Sequence, residues 1–335
     1  MRGAVYLRSV IYPLGVALLI PVSSAAYPSL AAATGPAART APLPAISLVV
    51  ATTPPPPVTT VLAPSDADRL RRDLTAIAAG SGGRVGISLQ ELSGPRRTSL
   101  SINGGQSFYA ASAYKLPLLM AQAQQIAAGQ VRPSDVLCYE PSDAEDGWFA
   151  DYDDGSCFSR QDLAVRAGRY SDNTAARILV RYLGGPNALN AFARSIGMGS
   201  SALWIPNTTT PDDLAQAWIN EELGRLGGAR AQQWLYPILT HTAFEQGIPA
   251  GMPGGIAVVH KVGSLNGTEN DSAYVTDGRV SYVLAVVVEG PDEVNGFSLI
   301  AQVSARVFQY ERGRPSFVVP VIASPASPAW PDRRH

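Results

Sequence analysis

The chain has 335 residues, is 46% hydrophobic and carries a formal net charge of -1. That length allows one large domain or two ordinary ones, and the apolar content supports a sizeable core. The balanced charge gives no bulk basic signal, so nucleic acid is not an expected partner.

The N-terminus carries Arg2 and Arg8, then an apolar run from Val10 to Pro21, then Ser23-Ser24-Ala25-Ala26. This is the order of a secretory signal, so residues 1–26 are read as one, with a secreted or envelope location. No adjacent arginine pair is present, which points to a general export route. An uncleaved anchor tethering the chain to a membrane is the alternative, although the run is short for a spanning helix. Residues 27–64 are rich in Ala, Pro, Thr and Ser and read as a stiff linker. A Pro-rich tail occupies 315–335, which leaves residues 65–314 as the folded body.

Ser65 with Asp66 and Asp68 starts a helix through Ala79, ended by Gly80-Ser81-Gly82-Gly83. Val85, Ile87 and Leu89 alternate in a strand over 84–92, Gly94-Pro95 turns it, and Thr98–Ile102 returns antiparallel. Helical patterns dominate from Ser112 to about Leu239, with a stop and restart at Gly184-Gly185-Pro186. Strands follow at Ile256–Ser264, Ser272–Val275 and Arg279–Val288, the last two joined by an Asp277-Gly278 hairpin. A helix closes the body from Asp292 to Tyr310. The expected fold is therefore α/β: an antiparallel sheet flanked by helices, plus an all-helical lobe. A cleft between two such lobes is a favoured binding site.

Export permits disulfides, and Cys138 and Cys157 can close one short loop. Between them lie seven carboxylates. Asp151-Tyr152-Asp153-Asp154-Gly155 echoes a calcium loop but lacks its closing glutamate, so the segment reads as a solvated acidic loop. No His/Cys metal spacing exists, and no cofactor is called for.

Two of the 26 basic residues are lysines, leaving 24 arginines. A lysine can lose its proton when buried, whereas an arginine cannot. Lys115 follows Ser112 at i+3, so both share a helix face, and Pro117 places them at the helix start. There a desolvated lysine can activate the serine hydroxyl. Tyr170-Ser171-Asp172-Asn173 reads structurally as a cap cluster opening a helix. Read functionally, Ser171 relays a proton to a leaving nitrogen, while Asn173 binds the substrate amide and orients Lys115. Lys261 supplies a fixed positive charge, and Gly263 lets a substrate backbone approach.

In order, Ser112-Ala-Tyr-Lys115, Ser171-Asp-Asn173 and Lys261-Val-Gly263 resemble the S-x-x-K, S-D-N and K-T-G set of class A β-lactamases and their penicillin-binding relatives. Ser107 to Ser112, Gly184-Gly185-Pro186 and Asn207-Thr-Thr-Thr-Pro211 extend the resemblance over most of Ser65–Tyr310. It implies that family's two-lobe fold, with Ser112 acylated, Lys115 its base partner and Lys261 beside Ser171. It also implies an oxyanion hole from the backbone N–H groups of Ser112 and Ser264. The expected substrates are β-lactams or D-Ala-D-Ala-like stem peptides of peptidoglycan.

Three departures stand out. Gly199 to Asn207 forms a shortened loop with no acid, where the family carries the glutamate that activates the deacylating water. Glu221 and Glu222 lie on the following helix and are poor substitutes. Val262 replaces a hydroxyl that holds the substrate carboxylate, and no arginine lies between Arg230 and Arg279. Acylation looks complete and deacylation reduced. The competing reading is a penicillin-binding or wall-binding module with little or no turnover.

Overall fold

A computed structural model describes residues 65–93, 98–278 and 280–313. The expected signal, linker, Gly94-Pro95 turn and C-terminal tail lie outside the described residues. Among these residues no helix is long and apolar enough to cross a membrane.

Helix α1 (Asp66–Ala79) begins at Ser65, whose hydroxyl accepts from the Asp68 N–H while Asp68 reaches back to the Ser65 N–H. Five antiparallel strands form the main sheet: β1 (Arg84–Ser93), β2 (Ser99–Ile102), β7 (Ala257–Leu265), β8 (Thr268–Thr276) and β9 (Ser281–Glu289). Their spatial order is β2-β1-β9-β8-β7, so the N- and C-terminal parts of the body share one sheet. β9 reads Ser-Tyr-Val-Leu-Ala-Val-Val-Val-Glu because it is buried on both faces. Its Leu284, Val286 and Val288 face a cluster with Leu70, Leu74 and the closing helix α8 (Glu293–Glu311). Val283, Ala285 and Val287 face the cluster built by the helical lobe.

That lobe comprises α2 (Lys115–Ala127), α3 (Arg160–Arg169), α4 (Asn173–Leu183), α5 (Pro186–Ser195), α6 (Pro211–Glu222) and α7 (Gly228–Leu235). Gly184 ends α4 at φ 111°, a conformation that favours glycine, and Pro186 opens α5. The expected two-lobe α/β architecture is therefore the observed one. Two short two-stranded sheets add strands not expected from the sequence, three of them within the stretch read as helical. β3 (Phe108–Tyr109), just before that stretch, pairs with β6 (Thr208–Thr209), and β4 (Val136–Cys138) pairs with β5 (Cys157–Ser159). Both are too short for periodicity to reveal. β8 is also longer than expected and joins β7 through Asn266-Gly267, both at positive φ. That dipeptide is a strong hairpin signal.

The β4–β5 hairpin carries the Cys138–Cys157 disulfide. The acidic loop it closes is not simply solvated. Asp143 is buried and pairs with Arg181, which also binds Glu140 and the Cys138 carbonyl. Asp151 takes a two-pronged bond from Arg166, whose guanidinium lies over the Phe149 and Phe158 rings.

Native protein should show no reactive thiol on labelling. Replacing both cysteines by serine should lower unfolding free energy in a denaturant titration by about 3 kcal/mol, as expected for a loop of this size.

Candidate active site

Strand parity sets the first part of the site. The row Val262, Asp271, Val286, Ile87 and Ile102 runs across all five strands. Val262, Val286 and Ile87 belong to the α1–α8 cluster. The neighbouring row holds Lys261, Ser272, Ala285 and Ser88 and so faces the helical lobe. Its small residues leave space for the lysine stem and for Trp218 of α6, whose Nε1 donates to Ser272 Oγ at 3.2 Å. A one-residue slip would turn Lys261 toward α8.

The Asp271 carboxylate in the apolar row is satisfied by His260 Nδ1 at 3.0 Å and the Ile248 N–H at 2.7 Å. Burial opposes a charge on His260, but the charge of Asp271 and hydrogen bonds to Asp271 and Glu245 carry its pKa up to about 9. The resulting charged pair ties β7, β8 and the loop around residue 245 together behind Lys261.

Ser112 lies in a 3-10 turn, Ala111–Tyr114, that runs into α2. Lys115 opens α2, and its Nζ donates to Ser112 Oγ at 3.0 Å, Ser171 Oγ at 3.3 Å and Asn173 Oδ1 at 2.6 Å. It also donates to the Ser171 carbonyl. Lys261 Nζ donates to Ser171 Oγ at 3.1 Å and to the Val262 carbonyl at 2.8 Å. Both amines are buried, at 0% and 1% exposure. Burial first, and the Lys261 charge second, hold the Lys115 pKa well below the ordinary lysine value. Burial likewise brings Lys261 down to about 7, against the opposing pull of Asp271. Its charge near neutral pH is therefore conditional rather than fixed as expected.

Ser171 sits at φ 58° between α3 and α4. Asp172 is the α4 N-cap, accepting from the Ala175 N–H at 2.8 Å. The same buried carboxylate also takes the Trp148 N–H at 2.9 Å and the Tyr152 hydroxyl at 2.7 Å. It thus fastens the acidic loop beside the serine. Asn173 Nδ2 donates to the Asp146 carbonyl at 2.8 Å.

Gly263 has a packing use in addition to the substrate approach expected of it. An added Cβ there would lie 2.6 Å from the Ala110 carbonyl oxygen, 2.7 Å from the Ala113 nitrogen and 2.9 Å from the Ser112 nitrogen. The close approach is by the serine's own backbone. Asn207 and Asn270 hold that backbone in place. Asn207 donates to the Ala111 carbonyl and accepts from the Ala110 N–H through its own carbonyl, while Asn270 donates to the Tyr109 and Ala110 carbonyls.

The resulting cleft, of about 300 Å³, is lined by Ser112, Asn173 and Ser264 among others. Val262 does not line it. Glu145, Arg177 and Trp204 do, although no local motif marks them as site residues. The shortened loop is pinched by the Ala202–Thr208 bridge, and Trp204 from it packs edge-on against Tyr114. Glu221 is buried, both its oxygens lack a hydrogen-bond partner among the described residues, and its pKa is pushed up to about 8 by burial and then by Glu222. It has no place in the cleft.

A serine hydroxyl bonded to a buried amine, with a second serine shared between two lysines, is the equipment of a serine hydrolase. The chain belongs to the beta-lactamase enzyme family, whose family model matches residues 69–310. It is 30% identical to β-lactamase CTX-M-25 of Escherichia coli over 244 residues, covering 66% of this chain and 81% of that one. Among solved structures it resembles PBP-A, with TM-score 0.69, 27% identity, and coverage of 73% of this chain and 96% of that one. A single-residue mutant of PBP-A, solved as an acyl-enzyme complex with penicillin G, matches with the same TM-score and identity over 73% and 97% of the two chains.

Replacing Asp172 by alanine would remove the acceptor shared by the Trp148 N–H and the Tyr152 hydroxyl, along with the α4 cap. Denaturant unfolding should register a loss of at least about 3 kcal/mol. An unchanged midpoint would show that the loop is not fastened there.

Proposed function

We propose that the chain is an exported active-site serine hydrolase that forms an acyl-enzyme at Ser112 with β-lactams or D-Ala-D-Ala-like amides and deacylates slowly. The observation that carries this reading is the buried Lys115 amine, its pKa drawn far down, 3.0 Å from the Ser112 hydroxyl. Neutral Lys115 takes the Ser112 proton as Oγ bonds to the amide carbonyl carbon. The backbone N–H groups of Ser112 and Ser264 hold the oxyanion. When the C–N bond breaks, the nitrogen receives the Ser171 proton, and the proton on Lys115 replaces it across 3.3 Å. Lys261, on the same hydroxyl, favours that transfer while charged. Asn173 binds the substrate amide and positions Lys115. Export rests on the signal-like order of residues 1–26.

Slow deacylation is supported by the acid-free loop at 199–207 and by Glu145, the one carboxylate among the described cleft residues, being ion-paired with Arg177. The same observation favours a binding module with little turnover, and the acyl-enzyme is common to both. The PBP-A mutant that this chain resembles is an acyl-enzyme complex with penicillin G, which supports the penicillin side of this reading.

A fluorescent penicillin should label Ser112 alone. Ser112→Ala should abolish labelling, and Lys115→Arg should do so too, because a guanidinium cannot accept the proton. Labelling should slow as pH falls through the Lys115 pKa, since protonation removes the base; adduct mapped by mass spectrometry to another residue would refute the assignment.

Stopped-flow hydrolysis of a chromogenic cephalosporin should give a burst followed by a slow steady state. The missing general base is worth about 10²–10⁴-fold, so the adduct should persist for minutes. A fast steady state without a burst would mean that another group activates water.

A further inference from the structure

Arg177 lies one helical turn beyond Asn173 on α4, and the mechanism above does not use it. Its guanidinium lies 5.5 Å from the centre of the Trp204 ring and is ion-paired with Glu145. Glu145 is held at that point by Thr174, whose hydroxyl accepts from the Glu145 N–H at 3.1 Å and donates to its carbonyl at 2.9 Å. Both charged side chains are more than a third exposed, at 37% and 39%. Among the described residues lining the cleft, Arg177 is the only cation and Glu145 the only carboxylate. Arg177 and Trp204 also line a second concavity of about 400 Å³, bordered by Gly184, Gly185 and Pro186. In that second space Arg181 is already engaged by Glu140 and Asp143. The two concavities therefore meet at Arg177, whose guanidinium carries five N–H donors, more than one carboxylate can engage.

An ion pair this exposed contributes little to stability, so a ligand can open it cheaply. A carboxylate arriving alone would gain Arg177 but be repelled by Glu145, and an ammonium alone would meet the reverse. A group carrying both charges satisfies both residues at once. Ser171 and Lys261 lie behind the lining of the cleft, while Arg177 lines it together with Ser112, Asn173 and Trp204. With Asn173 on the substrate amide, as in the reading above, the acyl half would lie toward Arg177. We propose that Arg177 and Glu145 form a recognition site for a zwitterionic group, an ammonium and a carboxylate on one carbon, at the end of the substrate's acyl side chain. This rests on the acyl-enzyme reading above and names the substrate class. The second concavity gives a side chain several atoms long somewhere to extend.

The test uses the mature protein and three penicillins with the same nucleus. Their side chains are phenylacetyl, which is neutral; glutaryl, which ends in a carboxylate only; and aminoadipyl, which ends in an α-ammonium carboxylate. The readout is the ratio of second-order acylation constants at Ser112 within one protein sample, so partial misfolding cancels. The zwitterionic compound should acylate about tenfold faster than the neutral one, an advantage of about 1.4 kcal/mol. The carboxylate-only compound should show little of that gain. Arg177→Gln and Glu145→Gln should each bring the zwitterion ratio to about one, and Glu145→Gln, on a loop, carries the test if the helical variant does not fold. A wild-type ratio at or below one, or a ratio that both substitutions leave intact, overturns the proposal while Ser112 labelling stands. An equal advantage for the carboxylate-only compound overturns the zwitterionic form of it. Failure of all three penicillins to label Ser112 would instead sink the acyl-enzyme reading.

Discussion

Two lysine amines are withdrawn from water within reach of one serine hydroxyl, and neither forms an ion pair with a described carboxylate. Burying an unpaired charge is costly, and such groups respond by giving up their protons. The amines are instead surrounded by neutral oxygens: two serine hydroxyls, an asparagine amide and two backbone carbonyls. Without a carboxylate partner, burial favours the neutral amine. The proposed transfer of a proton off Ser112 depends on that preference. An aspartate beside Lys115 would stabilise the charge and remove the base.

The rest of the structure can be read as the means of holding these groups without a carboxylate clamp. β7 places Lys261 by parity, in a row whose small residues leave it room, and the His260–Asp271 pair anchors the strand from its other face. Gly263 lets the same strand lie against the backbone of Ser112. Asn207 and Asn270 take up the carbonyls of the preceding residues. The serine is thus fixed through its main chain, which leaves its hydroxyl to the amine.

Charge is kept one layer away from the amines. Asp172, next in sequence to Ser171, turns from the lysines and spends its carboxylate on its own helix and on the acidic loop. The disulfide and the arginines Arg166 and Arg181 hold the other end of that loop. A segment that composition describes only as acidic thereby becomes a wall of the cleft, and brings Glu145 to Arg177.

Much of this was legible in the sequence. Alternation at Val85, Ile87 and Leu89, the Ser65 cap and the Gly184-Gly185-Pro186 break are local signals, set by backbone and side-chain preferences within a few residues. The serine–lysine spacing is equally local, because a helix start places i and i+3 together whatever surrounds it. The two-residue hairpin at Asn266-Gly267 is a local signal of the same kind. The remainder depended on packing. Nothing near Gly263 in sequence says that Ala110 to Ala113 will press against it. Glu145 and Arg177 are 32 positions apart and meet only because Thr174 and Asp172 pin the loop to α4. The charge state of Lys261 follows from burial, which is a property of the assembled lobes. The sequence by itself determined which groups could do the chemistry, since their identity and short spacings are written locally. Only the tertiary structure decided which of them meet, and how far each is removed from water, because those depend on contacts between distant segments.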